Sequence, residues 1–197
     1  MASNGETRPV AADAEVFILF SGYVGERVAS SVGFIRDGNA RIIVDPGIVP
    51  APARIIEPLR QLGETSEAIT DVVLSHHHLD HTLNAALFPN ARFHDYRAIY
   101  QGDRFQRRPA EGFALSPSVL LIETPGHTPQ DLTTLVATPD GITAFTHLWW
   151  TAEGPADDPY APDSDLLRAN RARVLSIATR IVPGHGAPFV PNAHTPR

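Results

Sequence analysis

Asp71-Val72-Val73-Leu74-Ser75-His76-His77-His78-Leu79-Asp80-His81 joins a short apolar run to four histidines and an aspartate. The run Asp71–Leu74 reads as a buried strand. In an extended chain leaving a strand, side chains at i and i+2 share a side. His76 and His78 can therefore grip one ion, whereas His77 points to the opposite side and is not expected to be a ligand. Asp80 and His81, just beyond, can face the neighbouring position. Imidazole with carboxylate suits zinc, iron or manganese.

The same arrangement recurs downstream. Strand Val119–Glu123 runs into Thr124-Pro125-Gly126-His127, and strand Ile181–Val182 into Pro183-Gly184-His185-Gly186. A strand end, a tight turn and a histidine place a ligand at one edge of a sheet, where sites commonly collect. Around these segments, Glu15–Phe20, Ser30–Arg36, Arg41–Val44, Ala91–His94, Leu132–Ala137 and Ile142–Phe145 read as strands. Helical spacing appears at Arg54–Leu62, ended by Gly63, at Leu83–Leu87, and around Leu167, Val174 and Ala178. Residues 101–118 read as a long loop and 152–164 as a Pro- and Asp-rich connection. This order of strands and helices predicts a layered α/β domain with mixed sheets. The domain spans residues 14–190, with tails at 1–13 and 191–197.

Composition narrows the functions. The 197 residues carry 16 basic and 22 acidic side chains, a net charge of −6, so no global basic field draws nucleic acid or an anionic membrane. No run approaches the roughly 18 apolar residues of a membrane span, and no apolar leader precedes Glu15. Without cysteine there is no thiolate ligand or nucleophile, and a cytoplasmic location is expected. Every basic residue is arginine, so no lysine chemistry is available.

His76-x-His78-x-Asp80-His81, His127 after Thr-Pro-Gly, and His185 in Gly-His-Gly together resemble the metallo-β-lactamase superfamily. Asp45 in Val44-Asp45-Pro46-Gly47 matches its early strand-end aspartate. The stretches Asn84–Pro89, Pro125–His127 and Val182–Gly186 are most similar to the metallo-β-lactamase-domain-containing protein 1 group. The resemblance implies a four-layer αββα sandwich of two mixed sheets with the site at one edge. It implies a first metal on His76, His78 and His127 and a second on Asp80, His81 and His185. Asp45 would then fix ligand histidines through their other ring nitrogen; read alone, it is a turn former before Pro-Gly.

One position departs from the pattern. Where the superfamily has Gly-Asp after its strand, with a carboxylate bridging two metals, this chain has Thr146-His147-Leu148-Trp149-Trp150. Neutral imidazole offers one lone pair to a carboxylate's two oxygens. His147 is expected either to ligate one metal only or to serve as a pocket hydrogen-bonding group, and the site to hold one or two divalent ions. The expected chemistry is hydrolysis of a small ester-, lactone-, thioester- or amide-like substrate. Zinc lowers the pKa of bound water to about 7, giving hydroxide, and Asp80 would orient that water and take its proton. Nucleic-acid phosphodiester cleavage and non-catalytic metal binding are the alternatives. Specificity is expected from loops 20–27, 101–118 and 148–164. Arg104, Arg107 and Arg108 read as a solvated basic face, His94 as structural, and His194 as part of a disordered tail.

Overall fold

Alternation along the strands sets which residues face which layer, and a computed structural model describes residues 9–197. Strands β1 (Glu15–Phe20), β2 (Val32–Asp37) and β3 (Ala40–Val44) run antiparallel. Across the β2–β3 pair, Phe34 opposes Ile43 and Ile35 opposes Ile42. The first pair packs beneath helix α1 (Ala53–Gln61) with Ile55 and Leu59; the second turns the other way. Strands β4 (Asp71–Val73) and β5 (Arg92–His94) extend the sheet in parallel. The antiparallel strands β6 (Ala98–Gln101) and β7 (Arg104–Arg107) complete a seven-stranded mixed sheet.

The second sheet contains β8 (Phe113–Ser116), β9 (Val119–Glu123), β10 (Leu132–Thr138), β11 (Gly141–Thr146) and β12 (Arg180–Pro183), in the order β12-β11-β10-β9-β8. Only β11 and β12 are parallel, so this sheet is mixed as well. Val119 and Leu121 meet Ile35, Ile42 and Val73 between the sheets. Leu120 and Ile122, one residue out of phase, pack with Leu167 and Val174 of α3 (Ser164–Leu175). Three apolar clusters thus occupy the three interfaces of an αββα sandwich, as the sequence resemblance implied. Burying one such Ile, Leu or Phe side chain contributes about 1.5–3 kcal/mol. Gly33 is needed in this packing, because a Cβ there would run into the Phe145 ring of the facing sheet.

Three expectations need correction. Residues 101–118 are not a long loop: they contain the end of β6 and strands β7 and β8, with Gly102 at φ 58° turning the β6–β7 hairpin. The helix expected over 83–87 is one 3-10 turn at Ala85–Leu87, and the α-helical turn α2 comes earlier, at Leu79–Thr82. The C-terminal segment is tied down, since Trp149 Nε1 donates to Pro196 O at 2.8 Å, and within the segment His194 N donates to Asn192 Oδ1 at 2.8 Å. Of the tail expected over 1–13, residues 1–8 lie outside the described residues, while Val10 N and Ala11 N donate to Pro117 O. Among the described residues no helix is long and apolar enough to cross a membrane.

Candidate metal centre

The strands β3, β4, β9, β11 and β12 all finish at one edge of the sandwich, and each is followed by a polar side chain of interest. After β3 the chain turns at Asp45, which sits at φ 52°, and Gly47 packs against the Asp80 backbone so closely that a Cβ would strike the Asp80 carbonyl. A non-glycine residue in the left-handed region costs energy that the surrounding contacts must offset. Those contacts fall on its carboxylate. Asp45 accepts from Ser75 N at 2.7 Å, from Ser75 Oγ at 2.6 Å and from His81 Nδ1 at 2.9 Å.

Partners of this kind decide the tautomers. Carboxylates and carbonyls only accept, so each nitrogen facing one carries the hydrogen. His81 Nδ1 faces Asp45, His127 Nδ1 faces Asp158 at 2.8 Å, and His185 Nδ1 faces the Ala29 carbonyl at 2.9 Å. The Ser75 hydroxyl is spent on Asp45, so at 3.0 Å it accepts from His76 Nδ1. In the neutral rings Nε2 of His76, His81, His127 and His185 is then a lone pair. These lone pairs converge. His78 Nδ1 lies 3.0 Å from His76 Nε2 and 3.1 Å from His127 Nε2, and one hydrogen cannot serve both. His147 Nε2 lies 3.1 Å from His185 Nε2, and Asp80 Oδ2 lies 3.6 Å from Nε2 of both His81 and His185. His81 Nε2 and His147 Nδ1 are buried with no hydrogen-bond partner.

Such a set of inward lone pairs beside one carboxylate fits a divalent cation and little else. Three groups could each hold one: His76, His78 and His127; His76, His81 and His147; Asp80, His81 and His185. Burial, and after it the neighbouring imidazoles, pushes His76 and His147 well below the usual histidine range. His78 is lowered by burial and then by His127, and His185 is lowered mainly by burial. Neutral imidazole is the form that ligates.

A pH dependence follows for metal-free protein. Unfolded histidines titrate near 6.5, and these four titrate lower when folded. Between the two values the unfolded chain binds more protons, so stability is full above about pH 6.5 and falls as pH drops below it. The Tm of chelator-treated protein is expected to be flat from pH 8 to 7 and to decline towards pH 5; a Tm unchanged to pH 5 would contradict this. A second expectation concerns Asp45. The change Asp45→Asn tolerates the left-handed backbone but cannot accept all three donors, so metal affinity should fall about 10–100-fold. Competition with a chromophoric chelator measures it.

The structure also brings in residues that the sequence did not flag. Asp158, from the irregular 152–164 connection, takes His127 Nδ1 and Trp150 Nε1, both at 2.8 Å, on one oxygen. Buried Arg171 donates to the carbonyls of Leu148, Pro155 and Ala156, and Asn170 Nδ2 to Pro125 O. Gly184 leaves room for the His147 ring, which a Cβ would overlap. His77 turns away to Asp95 at 3.2 Å, and His94 is buried against Asp71 at 2.8 Å. Of the three loop arginines, Arg104 and Arg107 are exposed on β7. Arg108 is not part of a solvated face: it is buried, bonds Asp95 O and covers the Phe113 ring at 4.5 Å.

A cavity of about 400 Å³ opens over the cluster, lined by Asp80, His78, His127, His147 and His185 together with Val24, Val28, Trp150 and Tyr160. The last two rings stack at 5.7 Å. Segments 20–27 and 148–164 thus contribute to the lining, as expected, and 101–118 does not.

A model of the metallo-beta-lactamase superfamily matches residues 25–186. Metallo-beta-lactamase domain-containing protein 1 of Xenopus laevis is 28% identical over 196 residues, covering 88% of this chain and 80% of the frog protein. The mouse protein of the same name is 33% identical over 157 residues, which are 75% of this chain and 60% of that protein's length. A crystal structure of a Thermotoga maritima protein, described as of metallo-beta-lactamase type, superposes with a TM-score of 0.72 at 24% identity. It covers 91% of this chain and all of the other.

Proposed function

Because the chain belongs to the metallo-beta-lactamase superfamily, we propose that it is a metal-dependent hydrolase of a small ester, lactone, thioester or amide. The observation that carries the reading is the convergence of four Nε2 lone pairs and the Asp80 carboxylate beside an open cavity that His127, His185 and Asp80 line. A divalent ion held there, zinc by its fit to imidazole with carboxylate or else manganese or iron, supplies Lewis acidity and acidifies water bound to it.

The residues of the chain do the rest. Asp80 is partly exposed within the cavity and 3.6 Å from two ligand-type nitrogens, a position from which its carboxylate accepts a proton from an incoming water. Val24, Val28 and the stacked Trp150–Tyr160 pair present an apolar wall to the acyl portion of a substrate. Among the described residues lining the cavity there is no arginine, and Arg104 and Arg107 lie on the β7 edge. That lining favours an uncharged substrate over a nucleic-acid backbone, whose capture depends on clustered cations.

The test is a panel of esters, lactones, thioesters, amides, β-lactams and phosphodiesters offered to zinc-loaded protein. Saturable hydrolysis of one uncharged acyl class, lost on chelation and restored by metal, is the expected result. Turnover of phosphodiesters alone would favour the nuclease reading. Tight metal binding with no turnover on any class would leave a non-catalytic metal domain.

A further inference from the structure

We propose that the free edge of β7 takes an extended acidic segment of a partner protein as an added strand of the seven-stranded sheet. The site is independent of the metal centre, because no β7 residue lines the cavity. β7 is paired with β6 alone, Gln101 opposing Arg104 and Ile99 opposing Gln106. Just past the strand, Arg108 N donates to Arg97 O at 2.7 Å. Backbone groups alternate in direction along an antiparallel strand. Arg104 and Gln106 therefore bond inward in step with Arg108, and Phe105 and Arg107 each present one N–H and one C=O to the open side. An incoming strand can close hydrogen bonds with both residues, the recognition mode in which a peptide extends a sheet.

Charge chooses the partner. From Tyr96 to Ala110 the chain carries Arg97, Arg104, Arg107 and Arg108 against one carboxylate, Asp103, although the whole protein has a net charge of −6. Among the described residues Arg104 and Arg107 form no salt bridge, whereas Arg36, Arg41, Arg60, Arg92, Arg168 and Arg173 all do. Two exposed guanidiniums without carboxylates thus flank the open backbone groups, and a guanidinium pairs best with a carboxylate. Phe105 lies between them, 54% exposed, with its ring 5.3 Å from that of Tyr100 directly across the hairpin. Side chains alternate faces along a strand, so Phe105 and Arg107 share one face and Arg104 and Gln106 the other. Read antiparallel from Arg107 to Arg104, the complementary strand is acidic, polar, apolar, acidic. A phosphate backbone could meet the arginines but has no groups with which to continue the ladder.

The probe is the end-blocked peptide Thr-Thr-Glu-Thr-Val-Glu-Thr-Thr, titrated into the full chain and followed by residue-resolved amide NMR. Saturable binding that weakens with salt is expected, with hydrogen exchange slowed at Phe105 and Arg107 and unchanged at Gln106 and Arg108. The same peptide with Lys for Glu should not bind. The double change Arg104→Glu, Arg107→Glu, at fully exposed positions, should abolish binding of the acidic peptide. N-methylation tests the ladder without touching the protein. Methylating the first Glu and the Val, whose N–H groups would face β7, should abolish binding, whereas methylating the Thr between them and the second Glu should not. If both methylated forms bind, or neither does, no strand is added here and the proposal is wrong. Preference for oligouridylate, with no slowing at Phe105 and Arg107, would give the arginines to a nucleic acid and overturn it. Slowing that depends on protein concentration alone would give the edge to a second copy of this chain instead.

Discussion

The Asp80→Asn variant is expected to lose about 10²–10⁴ in kcat with its fold intact. The side chain is partly exposed in the first turn of α2, so an amide of the same shape fits without repacking the core. What it cannot do is take a proton. The carboxylate stands 3.6 Å from His81 Nε2 and His185 Nε2, close enough to reach a water placed among them. Loss of a positioned base should fall on kcat and not on KM, since the apolar wall of Val24, Val28, Trp150 and Tyr160 is untouched. Steady-state kinetics at matched metal content is the measurement. A kcat within about threefold of wild type would remove Asp80 from the role of base.

The largest stability effect is expected at Arg171. Its guanidinium is fully buried, donates to Leu148 O at 2.9 Å, Ala156 O at 2.6 Å and Pro155 O at 2.7 Å, and lies 5.6 Å from the Trp149 ring. Three carbonyls of the segment that carries Trp150 and leads to Asp158 are thereby pinned to α3. The change Arg171→Ala leaves all three without their donor and opens a cavity, at a cost of about 3–5 kcal/mol. Lysine is a poor substitute, because one ammonium cannot reproduce a planar fork aimed at three acceptors. Chemical denaturation of metal-free protein checks this, and a loss below about 1 kcal/mol would show that the segment is held by other contacts.

The chain declares its candidate ligands and conceals what aims them. His76, His78, Asp80 and His81 lie close together with a strand in front, and His127 and His185 each follow a strand and a Pro-Gly turn, so local pattern alone places them at a sheet edge. The strands were legible as short apolar runs bounded by turn residues, and the αββα layering came from the family resemblance; which residue faces which layer, alternating along β2, β3 and β9, appears only in the fold. Asp158 lies 31 residues from His127 in a connection without periodicity, and only the tertiary fold brings them to 2.8 Å. Arg171 and Arg108 look like surface charges because arginine is rarely buried without a carboxylate partner; here backbone carbonyls serve instead. The β6–β7 hairpin was hidden because Arg104-Phe105-Gln106-Arg107 is exposed along its whole length and has no buried face to print a period-two pattern.

That exposed strand has a bearing on solubility. β7 ends the seven-stranded sheet, paired on one side with β6 and on the other with nothing among the described residues. An open edge with its unpaired backbone groups is a template for a second chain, and cationic side chains are one of the devices that discourage such pairing. Arg104 and Arg107 bracket the apolar Phe105 at this edge. Two copies approaching edge to edge would bring like charges together, a repulsion that weakens as salt shortens its range. The arginines that stand apart from the cavity therefore help keep concentrated protein from joining sheet to sheet, most strongly at low ionic strength.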